Sequence, residues 1–124
     1  MRNMLLSLAG GLFLVSAPVW AHHSLSQYDR EHPVTLKGTV AEYNFVNPHV
    51  QVYLDVKDET GNVEKWEIES GPPARLYRAG WNLLSLKPGD QITVTGAPSK
   101  DGHRSVSVQK LVAPDGKVLT QGAE

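Results

Sequence analysis

The sequence contains no cysteine, so disulfide bonds, thiolate metal sites and cysteine nucleophiles are excluded. Its two methionines, Met1 and Met4, both lie in the first apolar segment, so the rest of the chain has no thioether ligand for Cu(I). The chain has 12 basic and 13 acidic residues and lacks the basic excess that binds phosphate backbones. A nucleic-acid partner is therefore not expected, and apolar packing alone must hold the fold together.

Residues 1–21 have the pattern of a secretory signal peptide. Arg2 supplies the positive start, an apolar run extends from Met4 to Val15, and the segment ends in a small-residue cleavage site at Ala21. This run is shorter than the roughly 20 residues that a membrane-spanning helix needs. We expect cleavage after Ala21, no membrane span afterwards, and a periplasmic chain of 103 residues with a net charge of −2.

The mature chain is long enough for one domain and too short for two. Residues 22–33 are polar and have no periodicity, which predicts an N-terminal arm. Residues 34–120 contain short alternating segments separated by turns, which predict a single OB-like β-barrel domain.

Three strands are predicted in the first half of this domain. The first begins at Val34, bends at Gly38 and continues loosely through Phe45. The second runs over residues 49–56, with Val50, Val52, Leu54 and Val56 on one face, and the third runs over residues 63–69. The polar turn between the second and third strands predicts a hairpin.

A short helix is predicted between the third and fourth strands, starting at Pro73 and ending at Gly80. Trp81 and Leu83-Leu84 are expected to cover the core after it. The fourth and fifth strands are predicted around Ile92–Ala97 and Ser105–Val112, the latter with Lys110 on the same face as Val106 and Val108. A short final hairpin brings in Val118 and Leu119.

This order predicts a mainly β fold, a small five-stranded OB-like barrel with one short helix between strands 3 and 4. The alternative is a small β-sandwich with a helical insertion.

Three histidines are the candidate metal ligands: His22, His23 and His49. Cleavage after Ala21 would give His22 a free amine, with a pKa near 7.7 to 8.0, beside its own imidazole. Such nitrogen ligands suit Cu(II) or Zn(II). His49 follows Asn47-Pro48 at the start of the second strand and is a plausible third ligand, although it could instead only cap the turn by hydrogen bonding. His32 and His103 are weaker candidates, expected to be exposed.

No catalytic or organic-cofactor site is predicted, because the sequence has no nucleophile elbow, phosphate loop or zinc-protease helix. Glu67 and Glu69 could be paired carboxylates for acid–base chemistry, but alternate carboxylates on a strand are more simply a solvated face. Aromatic residues could form a stacking platform for sugars or oligonucleotides, or be core: Tyr43, Phe45, Tyr53, Trp66, Tyr77 and Trp81.

The mature chain resembles, over essentially its whole length, a family of small secreted proteobacterial proteins of unassigned function. The motifs that carry this resemblance are His22-His23-Ser24, Asn47-Pro48-His49, Trp66, the Gly71 to Trp81 segment, Leu86-Lys87-Pro88-Gly89-Asp90 and Lys100-Asp101-Gly102. The resemblance implies a compartment and a fold rather than an activity. More distantly, the chain is similar to small periplasmic copper chaperones with an OB-fold, which bind Cu(I) through methionines that the mature chain lacks.

The sequence therefore favours a non-enzymatic periplasmic binding protein that takes up Cu(II) or Zn(II) through its N-terminal histidines. The alternatives are an envelope protein-interaction module without metal, and an OB-fold that binds saccharides or oligonucleotides. The oligomeric state is left open.

Overall fold

The computed structural model describes residues 27–122. This part of the chain forms six strands and one short helix, in the order β1 (Val34–Asn44), β2 (Gln51–Lys57), β3 (Val63–Glu69), α1 (Pro73–Arg78), β4 (Gln91–Pro98), β5 (Ser105–Val112) and β6 (Val118–Thr120). None of the helices that these residues form is long and apolar enough to cross a bilayer.

The first five strands close into a barrel. The hydrogen-bonded order is β3-β2-β1-β4-β5-β6, with antiparallel neighbours throughout. A parallel pairing of Glu67–Glu69 in β3 with Ser105–Ser107 in β5 closes the ring of the first five strands. The predicted mainly β barrel, with its helix between strands 3 and 4, is therefore confirmed. β6 extends β5 outside the closed ring.

The centre of the core is formed by the apolar residues that alternate with polar residues along β2 and just before it. Val50, Val52 and Leu54 are fully buried, as the sequence pattern predicts, because successive side chains of a strand point to opposite faces. Side chains from the other five strands, from α1 and from the loop between α1 and β4 complete the cluster, which includes Val40, Ile68, Leu76, Trp81, Leu86, Ile92, Val94, Val106, Val108, Leu111 and Leu119.

Two irregularities in strand pairing modify the predicted faces. The β1–β2 register shifts at Ala41, between Val40 and Glu42, which explains why the apolar pattern of β1 is loose beyond Val40. A second shift in the β4–β5 ladder leaves Gln109 as an extra residue. The prediction that Lys110 shares the inward face of Val106 and Val108 is therefore wrong, since the bulge brings Leu111 into the core and exposes Lys110.

Gly38 lies in β1 close to the backbone and side chains of β2. A Cβ atom at this position would be 2.5 Å from the carbonyl oxygen of Asp55 and 2.9 Å from Cγ of Leu54. No side chain fits without moving that backbone, so glycine is needed for close strand packing rather than for an unusual φ angle.

The helix α1 and the loop after it cover one side of the barrel. Leu76 is fully buried, and Gly80 ends the helical segment with a φ of 97°. Trp81 enters the core, and its Nε1 donates a hydrogen bond of 2.8 Å to the carbonyl oxygen of Thr120. This contact ties the loop to β6.

The prediction that Leu83 and Leu84 cover the core is wrong, because their side chains are 72% and 92% exposed. A tight turn directs them outward: the backbone N–H of Asn82 donates to Oγ of Ser85, and that of Leu84 to Oδ1 of Asn82. Leu86, two residues further on, is buried instead.

Candidate functional site

His49 lies on the outer side of the barrel, two residues before β2 begins at Gln51. Its side chain is on the same face as that of Gln51, because Val50 between them points into the core. Gln51 pairs with Glu69 at the end of β3, so His49 is a diagonal neighbour of Glu69. Nδ1 of His49 is 3.1 Å from Oε1 of Glu69, and the histidine side chain is 49% exposed.

The last part of the N-terminal arm lies on the barrel beside these residues. Tyr28 forms a β-bridge with Ser99, which follows β4. The backbone N–H of Asp29 donates to the carbonyl oxygen of Pro98, and that of Lys100 to Gln27. Residues 27–29 therefore continue the sheet beyond the end of β4.

The Tyr28 side chain extends from this attachment to Glu69. Its hydroxyl donates a hydrogen bond of 2.5 Å to Oε2 of Glu69 and lies 3.0 Å from Oγ of Ser105. Because the single phenolic hydrogen is used by Glu69, Ser105 acts as a donor to the tyrosine oxygen. Burial, followed by the hydrogen bond to Glu69, raises the pKa of Tyr28 to about 12.

We call Tyr28, His49, Glu69 and Ser105 the His49 cluster. It unites four parts of the chain: the arm, the loop between β1 and β2, the end of β3 and the start of β5. In OB-folds, ligands bind on the face of strands 2 and 3 between the β1–β2 and β4–β5 loops, which is where this cluster lies. The pairing of Glu67 with Ser105 brings β5 to this position.

The predicted acidic pair, Glu67 and Glu69, is partly buried rather than fully solvated. Glu67 accepts a hydrogen bond of 2.9 Å from Nε2 of Gln51, whereas Glu69 contacts Tyr28 and His49. The pKa of Tyr53, which pairs with Glu67 across the strands, is raised by burial and by the nearby carboxylates of Glu67 and Glu42. Both glutamates thus have specific partners on one face.

Of the three predicted metal ligands, only His49 falls in the described range; His22 and His23 lie outside it, as does the predicted signal peptide. His32 and His103 are exposed, as expected, and contact Asp29 and Asp101, each at 2.9 Å. Across residues 27–122, no group of three or more His, Cys, Asp or Glu side chains is arranged to hold a metal ion.

The aromatic residues do not share one exposed face. Trp81 is buried in the core. Three further aromatic residues are partly buried and pack against this core: Tyr43, Phe45 and Trp66. Tyr43 and Phe45 contact each other edge to face, with ring centroids 6.2 Å apart. Tyr77 is largely exposed on α1. A stacking platform built from all six is therefore not formed.

Sequence reasoning missed Tyr28 and Glu69 as members of the cluster. The polar pattern of the arm predicts no order up to Pro33, and alternation along β3 predicts that Glu69 is surface charge. Two signals were available: a lone aromatic residue within a polar arm, and the shared face of His49, Gln51 and Glu69 that hairpin pairing implies. The long-range attachment of the arm to residues 98–100 has no local signal.

Among solved structures, the chain is similar to the crystal structure of TiaS in complex with an isoleucine tRNA and ATP, with a TM-score of 0.50 and 19% sequence identity. The match covers 69% of this chain and 19% of that protein, so the chain spans about a fifth of its length. At this identity the likeness concerns the fold alone. No curated protein matches the sequence.

A family model described as a family of unknown function (DUF6152) matches residues 11–108. This match covers most of the chain and agrees with the resemblance to a family of unassigned function. The chain belongs to the DUF6152 family.

Proposed function

We propose that this chain is an exported periplasmic protein that binds Cu(II) or Zn(II) and is not an enzyme. Residues 1–21 are removed as a signal peptide, which leaves His22 at the new N-terminus. The metal is held by the terminal amine, His22 and His23 from the arm, and by His49 from the barrel.

The observation that carries this proposal is the attachment of the arm next to His49. The Tyr28 hydroxyl and His49 Nδ1 contact the two oxygens of one carboxylate, that of Glu69. His23 precedes Tyr28 by five residues, and an extended chain of that length spans at most about 18 Å. This short separation supports a site shared between the arm histidines and His49, because a short tether raises the effective concentration of a ligand.

The donor set is all nitrogen. An N-terminal amine with a pKa near 7.7 to 8.0 is partly unprotonated at neutral pH, and together with its own imidazole it forms a chelate. Imidazole nitrogens suit Cu(II) and Zn(II), and the affinity order favours copper. Because the mature chain has no cysteine or methionine, Cu(I) would find no soft ligand.

Calorimetric titration with Cu(II) and Zn(II) tests the proposal. Four chains are compared: one beginning at His22, the same chain with its N-terminal amine acetylated, a His49→Ala variant and a His103→Ala variant. His103→Ala is the matched control, because His103 is also exposed and next to a carboxylate. We expect one-to-one binding that weakens at least tenfold in the acetylated and His49→Ala chains and is unchanged in the control.

Binding that is equally weak in all four chains would contradict a shared site and reduce the histidines to a flexible tail. Cleavage is checked separately, since mass spectrometry of exported protein must show a chain that starts at His22.

A second candidate function, an envelope protein-interaction module without metal, is favoured by a different observation. Leu83 and Leu84 are exposed at a hydrogen-bonded turn, and Leu84 lines an open groove together with Lys117 and Leu119. Because hydrogen bonds already hold the backbone of this turn, ordering it on binding costs less entropy than ordering a free loop. This candidate predicts that a partner is recovered from periplasmic extract by the native chain and lost with Leu83→Ser and Leu84→Ser, without any effect of metal.

A further inference from the structure

Glu69 uses both of its carboxylate oxygens. Oε2 accepts the Tyr28 hydroxyl at 2.5 Å, and Oε1 lies 3.1 Å from Nδ1 of His49. A carboxylate only accepts hydrogen bonds, so neutral His49 must carry its hydrogen on Nδ1 to bond with it. The lone pair of the neutral ring is then on Nε2, which is the nitrogen left to bind a metal ion.

We propose that Glu69 is the positioning residue of the metal site: it fixes His49 as an Nε2 ligand and, through its hydrogen bond to Tyr28, holds residues 27–29 beside that histidine. This inference rests on the proposed function and adds the atom that ligates and the group that orients it. Carboxylates that accept the second N–H of a metal-binding histidine fix its tautomer and orientation, and their loss weakens metal binding by about 10- to 100-fold.

The strand register places Glu69 in this role. Its partner across the β2–β3 ladder is Gln51, which leaves His49 diagonal to it on the same face. The Glu69 side chain is only 23% exposed, and Ser105 supports the tyrosine hydroxyl that binds it. The carboxylate of Glu69 therefore has contacts with both Tyr28 and His49 that do not depend on a metal ion.

Glu67 provides a matched control. It lies on the same strand and the same face as Glu69, two residues earlier, but its hydrogen bond goes to Gln51 rather than to a histidine. A variant at Glu67 removes the same charge from the same surface without removing a contact to His49. Differences between the two variants therefore report the contacts of Glu69 with His49 and Tyr28 and not the local electrostatic field.

The first test needs no metal. Nitrogen-15 NMR of the histidine ring in the metal-free chain, at a pH where His49 is neutral, reports which nitrogen carries the hydrogen. We expect the Nδ1–H form in the native chain and in Glu67→Ala, and a shift toward the Nε2–H form in Glu69→Ala. An Nε2–H form in the native chain, or no change in Glu69→Ala, would overturn the proposal.

The second test measures Cu(II) affinity of chains that begin at His22. Glu69→Ala should bind about 10- to 100-fold more weakly and Glu67→Ala should stay within about twofold of the native chain. Tyr28→Phe is the milder variant, because it removes the hydroxyl and keeps the ring. It should lower affinity while leaving the His49 tautomer unchanged.

The outcomes separate this inference from the proposed function. Binding that depends on His49 but not on Glu69 leaves the function standing and overturns the positioning role. Binding that depends on neither residue overturns both, whatever tautomer the NMR spectrum shows.

Discussion

The hydroxyl of Tyr28 donates a hydrogen bond of 2.5 Å to Oε2 of Glu69, across 41 positions of sequence. This bond attaches the N-terminal arm to the outer face of the barrel. The other oxygen of the same carboxylate contacts His49. Tyr28 and His49 are thereby neighbours, although one belongs to the arm and the other to the loop before β2.

The alkaline titration of the tyrosines tests this contact. The pKa values of Tyr28 and Tyr43 are both raised to about 12, in each case chiefly by burial. An unfolded tyrosine ionises near pH 10, so the free energy of unfolding should fall as the pH rises from about 10 to 12. In Tyr28→Phe, one ionisation near pH 12 should vanish from the tyrosinate absorbance, and the fall in stability should be shallower. If the ionisation lost in Tyr28→Phe lay near pH 10 instead, Tyr28 would not be held at Glu69.

Two nearby leucines should differ sharply in their effect on stability. Leu84 is 92% exposed, whereas Leu86 is 3% exposed within the core. Leu86→Ala should lower the free energy of unfolding by about 2 to 5 kcal/mol, and Leu84→Ala should change it by less than about 0.5 kcal/mol. Urea unfolding of both variants measures this difference. Equal losses would mean that the turn at residues 82–85 packs on the barrel.

Gly38→Ala should destabilise the barrel because a Cβ atom would press against the carbonyl oxygen of Asp55. Overpacking of this kind costs about 1 to 3 kcal/mol. Gly61→Asn is the control: Gly61 has a φ of 87° and open space around it, and asparagine tolerates that conformation. Thermal unfolding should show a lower midpoint for Gly38→Ala alone. An equal drop in the unfolding midpoint of Gly61→Asn would mean that replacing glycine is costly in general and not specifically at Gly38.

Much of the fold could be predicted from local pattern. Alternation along β2 predicted the buried face of Val50, Val52 and Leu54. Pro73 and Gly80 predicted where the helical segment starts and stops. The faces of Lys110 and Leu111 could not be predicted, because a bulge at Gln109 depends on the partner strand and has no marker in its own sequence.

The candidate site was predictable in part, since the position of His49 before β2 places it on the outer face. The role of Glu69 depends on the β2–β3 register, and that of Tyr28 on pairing with residues far along the chain. Such long-range contacts follow from the closed barrel rather than from any local preference. The exposure of Leu83 and Leu84 was missed because side-chain hydrogen bonds of Asn82 and Ser85 override their hydrophobic character.

The proposed site requires that the arm and the barrel share one metal ion. Pulsed electron paramagnetic resonance of the Cu(II)-loaded chain that begins at His22 tests this directly, because it counts the imidazoles bound to copper. The account predicts imidazoles from His22, His23 and His49 in the native chain, and one fewer in His49→Ala. The same number in both chains would contradict it, because copper would then be bound by the arm alone.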